Sequence, residues 1–141
     1  RMGRGKVDDV YNENTKFDFS KISILRKGKD IVLFATGLMV QEALKAAEEV
    51  DATVVNVCSI KPIDKEGILS MLSSHKKAYA LEEHNIIGGL FSAISEVKAQ
   101  TSITTPLYPI GVNDVFGQSG KASDVLDKYG LTSKHIVEKI K

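Results

Sequence analysis

Four short apolar runs govern what this chain can fold into: IVLFATG from Ile31, TVVNVCS from Thr53, KKAYALEE from Lys76 and PLYPIGV from Pro106. The stretches between them are too long for hairpin turns. Each run is apolar nearly throughout instead of alternating with polar residues, which is how a strand reads when both of its faces are covered. Parallel neighbours need crossover connections of a dozen or more residues, usually helical, and the intervening segments supply them. The pattern predicts an α/β fold built on a parallel sheet, in the order β-α-β-α-β-α-β.

The connections carry helical spacing. Val40, Ala43, Leu44, Ala47 and Val50 form one apolar stripe, with Gln41, Glu42, Lys45 and Glu49 on the opposite face. In PIDKEGILSMLSS, Asp64 is placed to cap a helix that buries Ile68, Leu69 and Leu72, with Glu66 in its favourable first turn. Leu90, Ala93, Ile94 and Val97 make a third stripe. Upstream of these units, FDFSKISILRKGKD (residues 17–30) alternates weakly and joins the first run through a short turn, so it is expected as a strand antiparallel to its successor. Downstream, SDVLDKYGLTSKHIVEKI predicts two short helices, the first capped by Ser123 and ended by Gly130, the second capped by Thr132. Ile136, Val137 and Ile140 would dock the tail on the sheet. Residues 1–16 are polar and without period; they are expected to be a linker from a missing upstream domain, with one domain over residues 17–141.

Charge and cysteine content exclude several classes of function. Nineteen Lys and Arg balance 18 acids, for a net charge of +1, and the basic residues are scattered, so no nucleic acid partner is expected. No apolar stretch reaches membrane-spanning length and no signal pattern is present, so a cytoplasmic setting without a membrane partner is expected. The single cysteine, Cys58, sits in an apolar run and is expected to behave as a small buried hydrophobe. Nucleophilic hydrolysis lacks its G-x-S-x-G turn. His75, His84 and His135 are too dispersed for a metal site, and His75 and His135 are expected to be solvated.

Two glycine corners follow strands and open helices, at Gly37 and at Gly88–Gly89. Such a corner exposes backbone N–H groups to an anion, or lets helix and strand pack closely; both readings stay open. Glu82, Glu83, His84 and Asn85 lie at the carboxyl end of a central strand, the edge where open α/β sheets place ligands and partners. Alternation sends Glu82 and Glu83 to opposite sides, so they are not a ready acid/base couple. One of them is expected to bond a loop or a neighbouring subunit, and His84 is left between a functional, an anchoring and a solvated role.

Taken together, GKDIVLFATGLMVQEALKAAEEV, VVNVCSIKPIDKEGI, YALEEHNIIGGLFSAISEV and PIGVNDVFGQSGKASDVLDKYGLTSKHIVEKI resemble the C-terminal domain of transketolases, particularly those split into two shorter subunits. The resemblance runs from about Tyr11 to the end. It implies a three-layer α/β/α domain whose mostly parallel five-stranded sheet carries one antiparallel strand. It implies for the parent enzyme thiamine diphosphate, a divalent metal, and transfer of a two-carbon ketol unit between sugar phosphates. In that family the cofactor rests on a G-D-G motif of the first domain, absent here, and on a glutamate of the second. No catalytic, cofactor or metal residue is therefore expected in this chain, and the isolated piece is expected to be inactive. The implied partners are the upstream cofactor-binding domains or subunit, within a homodimer. Gly37, Glu83, His84, Asn85, Gly88, Gly89 and Phe91 are the candidate interface or anion-corner residues; Phe91 stands where relatives often have glycine. Two alternatives remain: a regulatory module binding a nucleotide or phosphometabolite at a glycine corner, or the same domain from deoxyxylulose-phosphate synthase or a 2-oxoacid dehydrogenase β subunit.

Overall fold

The computed structural model describes residues 7–141; residues 1–6 of the expected linker lie outside the described residues. The elements run β1 (Ser23–Arg26), β2 (Ile31–Ala35), α1 (Met39–Val50), β3 (Thr53–Asn56), α2 (Lys65–Ser74), β4 (Lys77–Asn85), α3 (Leu90–Ala99), β5 (Leu107–Val112), α4 (Ala122–Lys128) and α5 (Ser133–Ile140). The strands form one five-stranded sheet in the order β1-β3-β2-β4-β5. Only β1 is antiparallel, and β3, β2, β4 and β5 are mutually parallel.

The apolar runs are uninterrupted because each strand feeds two cores. Leu33, Ala35, Val54, Tyr79 and Leu81 point to one face, where they meet α1 and α5. Val32, Phe34, Val55, Ala78 and Ala80 point to the other, against α2 and α3. The stripes behave as expected: Val40, Ala43 and Ala47 of α1, Ile68 and Leu72 of α2, Leu90, Ile94 and Val97 of α3, and Ile136, Val137 and Ile140 of α5 are all buried. Asp64 caps α2, accepting from the Gly67 N–H at 3.2 Å.

β1 runs antiparallel to its successor β2, as expected, because it is antiparallel to β3 and β3 is parallel to β2; its hydrogen-bonded neighbour, however, is β3. Strand β2 is flanked on both sides by β3 and β4, so β1 cannot pair with it and takes the open ladder beyond β3. The connecting turn therefore crosses the start of β3. It does so in backbone contact: a Cβ on Gly28 would lie 2.3 Å from the Ala52 carbonyl carbon, and Gly28 N–H donates to Thr53 Oγ1 at 3.0 Å. One expectation is corrected here: the N-cap of α4 is Lys121, and Ser123 lies inside the first turn and donates its hydroxyl to Asp124.

At the other margin, β5 is open. The carbonyls of Pro106 and Val112 accept from Ala78 and Ile86 at 2.9 and 3.0 Å. By alternation Leu107, Pro109 and Gly111 then turn their backbone groups outward, and proline has no N–H to offer there. This blunts the edge against pairing with another strand.

Candidate functional site at the carboxyl edge

Because four strands are parallel, the segments after β2, β3, β4 and β5 gather at one edge of the sheet, and the antiparallel β1 is entered from that edge too. All seven candidate residues lie along it. The structure divides them into three groups: a capped corner, a braced ridge and the mouth of a cleft.

The corner between β4 and α3 is organised by Glu82, a residue outside the candidate set. Its side chain is 2% exposed and turns to the α3 face. Oε2 accepts from the Leu90 N–H at 2.7 Å and Oε1 from the Phe91 N–H at 3.0 Å. A carboxylate on the first amides of a helix satisfies donors that have no partner within the helix and sits favourably in the helix dipole. Gly89 is required by this bond, since a Cβ there would fall 1.8 Å from Glu82 Oε2. Gly88 adopts φ +80°, a left-handed conformation that side chains disfavour, and its N–H donates to Ser92 Oγ at 2.8 Å. Thus three amides of the corner are already taken by the chain's own side chains. An external phosphate would have to displace a buried carboxylate of its own charge sign, so these residues do not fit a diphosphate.

Gly37 also lies in the left-handed region, at φ +57°, and turns β2 into α1 with open space where a side chain would be. The amides that follow it are used locally: Met39, Val40 and Gln41 N–H donate to the carbonyls of Thr36, Gly37 and Leu38 at 3.2 to 3.3 Å. Phe91 is partly buried against the α2–α3 core.

Asn85 builds the ridge. Its Nδ2 donates to Asp114 Oδ1 at 2.7 Å, and its Oδ1 accepts from the Ile87 N–H at 2.8 Å. One side chain therefore braces the loop after β4 against the loop after β5. Those loops carry outward-facing apolar residues: Ile87, Val115 and Phe116, the last 99% exposed. His84 Nδ1 lies 2.9 Å from the Asn85 carbonyl, which can only accept, so that nitrogen carries the proton.

Glu83, opposite in parity to Glu82, faces an open cleft of about 640 Å³ on the α4 side. Val112, Val125, Leu126, Tyr129 and Leu131 form its apolar wall, and the Gly117–Gly120 loop its lip.

Residues 7–16 have no helix or strand but lie on the same edge. Asn56 Nδ2 donates to Tyr11 Oη at 2.8 Å, Gln41 Nε2 to the Asp8 carbonyl at 3.0 Å, and Val10 packs against the α1–α5 core. Tyr11 meets Phe17 edge-on at 5.0 Å and Phe17 meets Phe19 at 4.7 Å, so an aromatic row spans the boundary drawn at residue 17.

Elsewhere, charge is used structurally. Asp64 is pulled toward neutrality by burial, but the Ile22 and Gly67 N–H groups and the Lys21 ammonium outweigh this and hold its carboxyl below the ordinary range. His75, expected to be solvated, is instead a latch: Nδ1 faces the Met71 carbonyl at 2.8 Å and Nε2 faces Thr53 Oγ1 at 2.8 Å. Cys58 is half-exposed just past β3 instead of buried within it, with Sγ 3.8 Å from the Lys21 carbonyl. Among the described residues no three His, Cys, Asp or Glu side chains group to hold a metal ion, and no helix is long and apolar enough to cross a membrane.

At the corner itself sequence reasoning missed Ser92, and it expected one of Glu82 and Glu83 to bond a loop or a neighbouring subunit without choosing between them. The available signal was parity: Glu82 shares the face of the buried Ala78 and Ala80, beneath the helix that the glycine pair opens.

Comparison with known proteins agrees with the fold. Residues 20–136 match the family model described as transketolase, C-terminal domain. A Methanocaldococcus jannaschii protein named as a transketolase C-terminal section is 40% identical over 99% of this chain and 46% of its own length. A 6-deoxy-6-sulfo-D-fructose transketolase subunit of Clostridium sp. (strain MSTE9) is 40% identical over 97% of this chain and 44% of its own. A 1-deoxy-D-xylulose-5-phosphate synthase of Nitrosococcus oceani also matches, at 36% identity over the whole chain and 22% of its own. Among solved structures, a split-gene transketolase, described as an inactive β4 tetramer, superposes with a TM-score of 0.89 at 36% identity, covering 98% of this chain and 46% of that one. The chain thus spans a little under half the length of its two 40%-identical relatives.

Proposed function

Since the chain belongs to the transketolase C-terminal domain family, we propose that it is the assembly domain of a thiamine-diphosphate-dependent transketolase. In this reading its carboxyl edge docks onto the cofactor-binding domains of the same enzyme, and residues 1–16 lead in from them. The parent moves a two-carbon ketol unit between sugar phosphates in the cytoplasm and works as a homodimer. The chain supplies no catalytic group, and by itself it is inactive.

One observation carries this reading. The carboxyl edge directs its polar groups inward, to cap α3 and to brace its loops, while Ile87, Val115 and Phe116 face out. An edge so arranged offers little for bond-making and much for burial against protein, where aromatic residues are enriched. Glu83, His84 and Phe91 flank that surface. The split-gene relative, of which this chain covers 46%, is described as an inactive β4 tetramer, which fits a chain that works within an assembly.

The test is a ketol-transfer assay on the thiamine-binding domains with and without this chain added in trans, alongside sizing of the mixture. Activity or co-migration that rises only on mixing supports assembly. Ketol transfer by the chain unaided, or no association at any ratio, refutes it.

The cleft beside Glu83 favours another reading, a regulatory site for a nucleotide or phosphometabolite, since ligands of open α/β sheets lie at this edge. The acidic Glu83 weighs against an anionic ligand. Calorimetry without heat at millimolar ligand would retire it. A deoxyxylulose-phosphate synthase parent is distinguished by the substrate-binding residues upstream.

A further inference from the structure

At the amino edge of the sheet, opposite the carboxyl edge, one hydroxyl stands between two acceptors. Thr53 opens β3, His75 is the C-cap of α2, and Gly28 lies in the turn before β2. Thr53 Oγ1 is 2.8 Å from His75 Nε2 and 3.3 Å from the Gly28 carbonyl, and it accepts from the Gly28 N–H at 3.0 Å. A hydroxyl has a single proton to donate. It can serve the imidazole or the carbonyl, but not both at once.

The other side of the ring decides which bond goes with which charge. Nδ1 is 2.8 Å from the Met71 carbonyl, which can only accept, so Nδ1 carries a proton in both states. Ser74 Oγ, 3.0 Å from Nδ1, donates its own proton to the Ser70 or Met71 carbonyl and is left to accept. In the neutral ring Nε2 is therefore a bare acceptor, and Thr53 donates to it. In the imidazolium Nε2 is a donor. Thr53 must then accept from it, and its hydroxyl is released to Gly28. The backbone around the ring is anchored, since Thr105 Oγ1 donates to the Leu72 carbonyl at 2.7 Å and the Lys29 N–H to the Asp51 carbonyl at 3.0 Å. Turning one hydroxyl is thus enough to answer the change of charge.

We propose that His75 is a proton-responsive switch of the β1–β2 turn: protonation at Nε2 reverses the bond to Thr53 and turns the Thr53 hydroxyl to the Gly28 carbonyl. Thr53 then holds Gly28 by its N–H alone when the ring is neutral, and by both its N–H and its carbonyl when the ring is charged. The proton comes from solvent, to which the half-buried residue is open. Histidine is the side chain whose ordinary charge change falls between about pH 5 and 8, and the new charge sits at a helix C-terminus, where a cation is favoured. The charged groups on the surrounding elements are Arg26, Lys27, Lys29 and Asp30 around the turn, Asp51 before β3, Lys76 and Lys77 at the start of β4, and Lys98 in the last turn of α3. Among the described residues Arg26 and Lys29 pair with Asp51, Lys76 pairs with Asp30, and none of these groups bonds the ring. Lying at the opposite edge, the switch is independent of the assembly reading.

Nuclear magnetic resonance of the isotope-labelled chain reads each step. With the ring neutral, its nitrogen resonances should show Nδ1 protonated and Nε2 bare. As pH is lowered from about 8 to about 5, the Gly28 carbonyl carbon should shift with the same midpoint as the His75 ring. Thr53→Val, which removes the hydroxyl, should lose the Gly28 shift while the ring still titrates, and Thr53→Ser, which keeps a hydroxyl, should retain it. A neutral ring protonated at Nε2 overturns the proposal. So does a Gly28 carbonyl that ignores the ring, that follows only the Asp30 and Asp51 carboxylates at lower pH, or that still follows the ring in Thr53→Val. The tautomer and the shared midpoint are read on the parent chain, so they decide the matter even where the valine variant fails to fold.

Discussion

The bond between Glu82 and the start of α3 sets up a thermodynamic cycle with a definite expected result. Removing the carboxylate in Glu82→Ala leaves the Leu90 and Phe91 N–H groups, now bonded at 2.7 and 3.0 Å, without acceptors at a buried helix end. At about 1.5 kcal/mol for each bond to a charged group, the variant should lose about 3 kcal/mol. Gly89→Ala damages the same bond from the other side. Its Cβ would sit 1.8 Å from Oε2 and 2.8 Å from the carboxyl carbon, so the carboxylate must leave and both bonds go with it, again about 3 kcal/mol. The three nearest atoms to that Cβ all belong to Glu82. In the Glu82→Ala background the collision is gone, and the glycine substitution should cost only the loss of a permissive N-cap, about 1 kcal/mol or less.

Independent sites would add to about 6 kcal/mol, whereas the cycle predicts about 4 for the double variant, a coupling of about 2 kcal/mol. Urea unfolding followed by circular dichroism measures it, with a constant m confirming that only stability has changed. Additivity within about 0.5 kcal/mol would refute the claim that Gly89 is glycine to admit the Glu82 carboxylate.

Other outcomes follow from the same kind of reasoning. Asp64 has a folded pKa below its ordinary value, so its contribution is present above the unfolded pKa of 3.8 and lost as pH falls through the folded one; Asp64→Asn should cost about 1 kcal/mol at neutral pH and flatten the acid limb of stability against pH, as read by urea midpoints stepped down from pH 7. Gly28→Ala should cost about 3 kcal/mol or more or prevent folding, because its Cβ would meet the backbone of Asp51 and Ala52 at 2.3 Å, which cannot swing aside as a side chain can; a melting temperature within a few degrees of the parent would contradict this. Thr53→Val should cost about 1–2 kcal/mol by removing the hydroxyl that bonds both His75 and Gly28, and Thr53→Val combined with His75→Ala should cost less than the sum, since they share one bond.

How much was legible in the sequence varies with how local the cause is. The runs at Ile31, Thr53 and Lys76 read as strands covered on both faces because alternate residues of each serve the two cores. The Asp64 cap was legible because its bond to Gly67 spans three residues. The partner of β1 was not, since it depends on which ladder is already occupied, and the short turn through Gly28 has the same sequence character whether it folds back as a hairpin or crosses β3. His75 read as solvated because its partner Thr53 is 22 residues away and nothing periodic links them. At the carboxyl edge the sequence predicts that one of Glu82 and Glu83 bonds a loop or a neighbouring subunit, but not which. Glu82 and Glu83 are chemically identical neighbours, and only the position of α3 over one face decides that Glu82 is sealed in while Glu83 faces the cleft.

That division explains why an edge with the makings of a ligand site reads better as a contact surface. A strand end, a glycine pair and a helix N-terminus make an anion site only while their amides are vacant. Here the chain supplies the anion itself: Glu82 takes two of the helix's first amides, and Gly89 is the residue that leaves room for it. The corner is thereby closed to external phosphate and made rigid. Asn85 and Asp114 extend that rigidity to the β5 loop, and the exposed Ile87, Val115 and Phe116 are mounted on the braced result. Rigid mounting is what an exposed ring requires to bind protein without losing the gain to ordering. The Glu82 cycle and the mixing assay therefore test two ends of one chain of cause. Loosening the corner through Glu82→Ala should weaken association with the thiamine-binding domains even though Glu82 itself is sealed inside the chain, and association unchanged in a folded Glu82→Ala chain would separate the two.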